Sequence, residues 1–395
     1  MALAVSACDM PLRSMNQMGH NDFLVLDSHL DTPLVLDRAG FDITRRHDWQ
    51  KDYAQVDLPR MQEGGLDGGF WVIYTAQGAL TERGYAKALA HARHRNQVID
   101  EMLHGHGLDF EFASRAEDAP RIAATGKRVV YKSIENAYPL GENIDLLDEF
   151  YAAGVRMVGL VHSKNNQFAD SATDLKGQKW GGLSPLGRQL IRRANRLGMI
   201  VDMSHAHDDA LAQAIELSAT PIILSHSGAA FLHKHPRNVP DDLLKKLARS
   251  GGVIQINSLS AYLRESRADP NRLPEFLAIY RKYQNAPGGM RENHKAFVAE
   301  RRALDKKYPP DYAEFSDVMA HIFHTLELMG ADHVGIGLDW DGGGGVNGLQ
   351  DVSDLPRITE ALRDKSISSE TIGKIWSGNM LRLLRQAEET RDMGK

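Results

Sequence analysis

The 395-residue chain has a single cysteine, Cys8. One thiol excludes an internal disulfide and every cysteine-rich zinc or iron–sulfur motif, so any metal has to be held by imidazole and carboxylate. A basic excess is lacking too. Against 47 Lys and Arg stand 52 Asp and Glu, a formal charge of −5, without the positive field that a nucleic-acid surface requires. Small molecules are the expected partners, and no nucleic acid. No apolar run approaches the roughly 18 residues that would cross a bilayer, so no transmembrane span is expected. Histidine, in contrast, is plentiful, with seventeen.

Residues 1–22 are expected to form a flexible tail. They contain LAVSAC, which resembles the end of a bacterial lipoprotein signal whose basic region and most of whose hydrophobic stretch are missing. That reading implies a lipid anchor at Cys8 and an envelope address, with the cytoplasm as the alternative.

From Phe23 onward, short apolar runs ending in polar residues alternate with longer amphipathic stretches, the rhythm of a parallel sheet. Eight runs occur: Phe23 to Asp31, Gly68 to Thr75, Arg128 to Glu135, Val155 to His162, Met199 to His205, Pro221 to Ser227, Gly251 to Asn257 and His333 to Asp339. Eight β/α repeats predict an α/β fold, a closed (β/α)8 TIM barrel, as one domain over 23–395. The chain exceeds the ~250 residues of a plain barrel, and the charged stretch 258–332 predicts a helical insertion between strands 7 and 8. The GGGG at 342–345 lacks the lysine and hydroxyl of a phosphate loop and predicts a mobile loop at the barrel mouth.

Side chains alternate faces along a strand, so His29 and Asp31 share one face at the end of the first run. Glu135 ends the third run, His162 the fourth and His205 the fifth; His226 lies near the end of the sixth and Asp339 closes the eighth. In such barrels the C-terminal strand ends converge on one rim. Seven ionisable groups gathered there without a partner would be costly to desolvate, and a cationic centre removes the objection. The nitrogen and oxygen donor set suits zinc, ahead of manganese or iron. The expected arrangement is two ions, one on His29, Asp31 and Glu135, the other on Glu135, His205 and His226, with Glu135 bridging. A hydroxide shared between the ions would be the nucleophile. His91, His94, His104, His106, His233 and His235 are assigned no role.

These motifs resemble the renal or membrane dipeptidase family of zinc peptidases, within the amidohydrolase superfamily. The resemblance rests on LDSHLDTP, SIEN, GLVHSKNNQFADSA, GLSPLGRQLIRRANRLGMIVDMSHA, ILSHSGA, HPRNVPDDLL and HVGIGLDWDGG, in that order. It implies a dipeptidase acting on small dipeptides, in which His162 binds substrate and steadies the oxyanion. Arg237 would bind the substrate carboxylate and Asp339 would carry the proton. It also implies a homodimer. The position where other superfamily barrels place a carboxylated lysine holds His162, and Lys132 faces away from Glu135, which argues against a lysine-bridged site. Tyr74, Phe168 and Trp340 are candidate pocket walls, each read first as ordinary rim packing. The rival readings are a related amidohydrolase acting on N-acyl amino acids, lactams or a peptidic natural product, and a catalytically silent barrel serving as a binding protein.

Overall fold

Runs such as GGFWVIY and RVVYKSIE carry apolar side chains on both faces, as strands do when helices cover one face and a barrel interior the other. In the computed structural model, which describes residues 18–393, each of the eight runs contains a strand. They are β1 (Leu26–Leu30), β2 (Gly68–Tyr74), β3 (Arg128–Glu135), β4 (Val155–Gly159), β5 (Ile200–Asp202), β6 (Ile223–Ala229), β7 (Val253–Ile256) and β8 (Val334–Ile336). They pair in parallel in that order. The ring closes where Leu30 bridges Trp340 and the Asp31 amide donates to the Trp340 carbonyl at 2.9 Å. The expected (β/α)8 barrel is the observed fold. Two accessory strands, Phe110–Phe112 beside β3 and Asn238–Val239 beside β6, lie off this path. Among the described residues no helix is long and apolar enough to cross a membrane. Cys8 lies outside the described residues.

Local rules place the helices. In GLSPLGRQLIRRANRLG, the Ser184 hydroxyl accepts from the Gly187 amide, Pro185 opens the helix Pro185–Leu197, and Gly198 ends it at φ 76°. That is the N-cap, first-turn proline and left-handed C-terminal glycine of a self-contained helix signal. Gly187 has a tertiary reason as well, because a Cβ there would lie 2.0 Å from the Phe168 carbonyl.

The barrel's lower end is plugged. Phe70, Tyr131, Met157, Ile200, Ile223 and Val253 pack with Met380, Leu383 and Leu384 of the closing helix Asn379–Met393. The upper end is left for polar groups. Within 258–332, the helix Phe315–Met329 packs on β6, β7 and β8 and on the helix Asp241–Arg249, in the position of a barrel helix. The surplus over a plain barrel is carried by a hairpin of two helices, Arg272–Gln284 and Gly289–Lys307. A bidentate Arg264–Asp311 pair, at 2.7 and 2.9 Å, ties the ends of this segment together.

Candidate metal centre

Strict alternation does not place the ligands by itself. Ser28 and His29 are neighbours, yet both reach across the barrel to Ser225. The Ser28 hydroxyl donates to the Ser225 carbonyl at 2.6 Å, and His29 Nδ1 lies 3.3 Å from the Ser225 hydroxyl. The pairing register shifts in β1 between Asp27 and Leu30, and again along β6 between Leu224 and Ser227. Such irregularities re-aim side chains, and here they turn His29 and His226 inward. His205 and Asp339 stand just beyond their strand ends in the left-handed region, at φ 67° and 64°. Backbone held there by non-glycine residues is concentrated at functional sites.

Seven of the residues expected at the rim come together. Glu135 sits at the centre and divides its oxygens. Oε2 faces His29 Nε2 at 3.6 Å, while Oε1 faces Nε2 of His205 at 3.0 Å, of His226 at 3.5 Å and of His162 at 3.6 Å. His29 Nε2 is also 3.6 Å from Asp31 and 4.0 Å from Asp339. Their ligand atoms form three overlapping groups: His29, Glu135 and His226; Glu135, His162 and His205; and His29, Asp31 and Asp339. Glu135 and His29 each belong to two.

The donor set fits cations. The Nε2 atoms of His205 and His226 converge to 2.8 Å, and His29 Nε2 and Asp31 Oδ1 are buried without a hydrogen-bond partner. Burial, reinforced by Arg237 at His205 and by His29 at His226, holds both imidazoles well below their ordinary range, so they are neutral donors. Burial also opposes charge at Glu135, but His29 and His162 outweigh it and keep the carboxylate ionised. Burial and the crowding of acids raise Asp31 and Asp339, Asp339 well above the usual carboxylate range. At His29 burial is outweighed by Glu135 and Asp31, which push the imidazole up. Three buried carboxylates this close hold more negative charge than His29 and Arg237 balance, and divalent cations would provide the rest.

Ser225 fixes which imidazole nitrogens are free. Its hydroxyl donates to Asp202 at 2.6 Å and stands 2.9 Å from His226 Nδ1 as well as 3.3 Å from His29 Nδ1. A hydroxyl that spends its proton on Asp202 accepts N–H bonds from both rings, which leaves Nε2 as the ligand atom of each, at His29 once a metal displaces its proton. Ser225→Ala should weaken metal affinity about 10- to 100-fold, the usual cost of losing a ligand's supporting group. Metal titration of the variant checks this, and unchanged affinity would refute the role. Asp202 and Ser225 were legible only as motif letters beside His205 and His226.

His162 is the most exposed imidazole of the cluster, at 22% for its side chain against 6% and 2% for His205 and His226. It is therefore the one open to a substrate. Burial and Arg237 lower it as well, so its ring is neutral and able to donate. Arg237 is only 3% exposed. Its guanidinium donates to the His226 carbonyl at 2.8 Å, makes no ion pair among the described residues, and leaves Nε without a partner. Tyr262 supports it, with its ring centroid 5.2 Å away.

Phe168 and Trp340 are fully buried in the core, as rim packing. Tyr74 alone of the three reaches the site, edge-on to His162 at 4.9 Å. The glycine-rich loop, expected to be mobile, is pinned. Its Gly344 carbonyl accepts from the Gln55 side chain at 2.9 Å, and its Gly344 amide donates to the Asp339 backbone carbonyl at 2.9 Å. A Cβ on Gly342 would lie 2.0 Å from an Asp31 oxygen and 2.3 Å from an Asp339 oxygen, so glycine is what lets the two carboxylates stand side by side.

A sequence profile of the membrane dipeptidases, peptidase family M19, matches residues 14–394. The chain is 31% identical to dipeptidase tcpJ of Claviceps purpurea, over 94% of this chain and 77% of that protein. It is 29% identical to dipeptidase aclJ of Aspergillus oryzae, over 94% and 77%. The crystal structure of the probable dipeptidase PvdM from Pseudomonas aeruginosa superposes with a TM-score of 0.79 at 30% identity, covering 94% of this chain and 97% of that one. With its barrel and its histidine and carboxylate rim, the chain belongs to the membrane dipeptidase family, M19, of metal-dependent hydrolases acting on peptide bonds.

Proposed function

We propose that the chain is a binuclear zinc dipeptidase that cleaves the single peptide bond of a dipeptide. His29, Asp31 and Glu135 would hold one ion, and Glu135, His205 and His226 the other. When bound, the ions supply the positive charge that makes water a nucleophile near neutral pH and polarises the scissile carbonyl. The observation that carries the reading is the split of the Glu135 oxygens, one toward His29 and one toward His205 and His226, with a buried Arg237 on the His226 carbonyl that makes no ion pair among the described residues.

The remaining steps belong to the protein's own groups. Arg237 binds the substrate's terminal carboxylate by a charged, two-pronged contact. That contact orients the peptide and favours short substrates with a free C-terminus. His162 donates from its neutral ring to the oxygen of the tetrahedral intermediate. Asp339 accepts the proton of the attacking water and returns it to the departing amine.

The test combines chelation with one substitution. Removing metal should abolish hydrolysis, and two zinc equivalents per chain should restore it. Arg237→Met should cost about 10- to 100-fold in kcat/KM, the worth of hydrogen bonds to a charged group, on dipeptides but not on dipeptide amides. Activity that survives chelation, or an equal loss on both substrates, would overturn the reading. A panel of N-acyl amino acids run alongside separates the dipeptidase from its amidohydrolase rival.

A further inference from the structure

The Asp339 carboxylate accepts no hydrogen bond among the described residues, and its one charged contact is His29 Nε2 at 4.0 Å. Its aim is therefore set by its backbone, which is left-handed at φ 64°. Residues other than glycine keep such a conformation only where the surroundings over-determine it. Asp341, two residues on, is left-handed as well, at φ 65°.

Two distant segments supply what holds this backbone. Thr32, the residue after Asp31, donates its hydroxyl to Asp341 Oδ2 at 2.9 Å. Gln55, in the connection between β1 and β2, donates its amide to Asp341 Oδ1 at 2.7 Å and accepts the Asp341 amide on Oε1 at 2.8 Å. Its Nε2 donates to the Gly344 and Gln350 carbonyls at 2.9 and 2.8 Å. The Gly342 and Gly344 amides in turn donate to the Asp339 carbonyl at 3.2 and 2.9 Å, so the backbone that Gln55 grips is the backbone that holds Asp339. Gln55 is 1% exposed and Thr32 fully buried, which keeps water from competing for these bonds. An aspartate that served only its own loop would bond to neighbouring amides, whereas both Asp341 oxygens are committed to residues 309 and 286 positions away.

We infer that Asp341 is the positioning residue of the proton carrier: its two oxygens, clamped by Thr32 and Gln55, fix the 339–344 backbone so that the Asp339 carboxylate is aimed into the rim beside His29. This rests on the dipeptidase reading, in which Asp339 moves the proton. Asp341 acts through geometry and takes no part in the bond-breaking steps. An asparagine in its place keeps both links, because its oxygen accepts from the Gln55 amide and its NH2 donates to the Thr32 hydroxyl. An alanine loses both.

The experiment measures kcat and KM of zinc-loaded full-length enzyme on Gly-Ala, Ala-Ala and Leu-Gly, beside zinc titration of the metal-free protein. Asp341→Ala should lower kcat about 100-fold, the scale of a misplaced reacting group, with KM unchanged and two zinc equivalents still bound. Asp341→Asn should recover most of the loss. In an Asp339→Asn background, Asp341→Ala should cost no further kcat, since the carboxylate it aims is gone and the two act as one unit. Thr32→Val keeps its shape and removes only the bond to Asp341; it should lower kcat about 10-fold, the worth of one hydrogen bond to a charged group, and carries the test if the alanine variant does not fold. Wild-type enzyme that cleaves none of the three dipeptides overturns the dipeptidase reading and the inference with it. With an active wild type, the inference alone is overturned by a normal kcat in the folded variants, by loss of zinc from them, by failure of asparagine to rescue, or by an equal loss in the Asp339→Asn background.

Discussion

Glu135→Gln is expected to lower kcat/KM by about 10^3-fold or more and to leave the purified protein short of metal. The side chain keeps its shape, but the site loses its one central negative charge. Glu135 faces His29 with one oxygen and His205, His226 and His162 with the other, so the same substitution weakens both halves of the proposed pair. An amide oxygen cannot replace a carboxylate that balances two cations, and groups acting as one unit lose activity far out of proportion to the atoms changed. Metal analysis beside steady-state kinetics reads the result. A variant that still binds two zinc ions per chain with near-normal activity would remove Glu135 from the bridging position.

Asp339→Asn should act differently. Loss of a positioned acid–base group costs about 10^2- to 10^4-fold, and the loss should fall on kcat, with KM nearly unchanged and two metals still bound. The sign of the pH effect follows from the role. Asp339 accepts a proton only when ionised, and burial together with Asp31 and Glu135 raises its proton affinity. The wild-type rate therefore falls on the acid side as Asp339 protonates, and that limb should flatten in the variant. Asp339 Oδ1 also lies 4.0 Å from His29 Nε2 in a group with Asp31, so metal content decides between two roles. If the asparagine variant loses an ion, Asp339 is a ligand and the proton carrier has to be sought elsewhere.

These two substitutions rest on residues that the sequence names, and the reason is short-range. A strand ends where its apolar run meets polar residues, and a parallel barrel brings all such ends to one rim. Glu135, His162, His205 and Asp339 can be read in that way from the chain alone. The helix Pro185–Leu197 is as legible, because Ser184, Pro185 and Gly198 act within one turn of their own positions. His29 and His226 were named for a reason that proves incomplete. Alternation alone would turn Ser28 and Ser225 inward and their neighbours outward, and the register shifts in β1 and β6 bring both members of each pair to the site. The aromatics near the rim show where local rules stop. Sequence offers Tyr74, Phe168 and Trp340 alike, and whether a ring faces a cavity or, as for Phe168 and Trp340, the core depends on what packs against it from distant parts of the chain.

The sequence by itself determined the donor chemistry and the fold class. A chain with one cysteine and a histidine or carboxylate at six strand ends binds metal through nitrogen and oxygen, and eight β/α repeats close into a barrel. Only the tertiary structure decided the rest: the division of the Glu135 oxygens, the Ser225 hydroxyl that sets two imidazole tautomers, and the glycine that lets Asp31 and Asp339 approach. The physical reason is the range of the forces involved. Propensity, capping and alternation act over a few residues and are written locally, whereas these juxtapositions exist only after ring closure and side-chain packing join segments far apart in the chain.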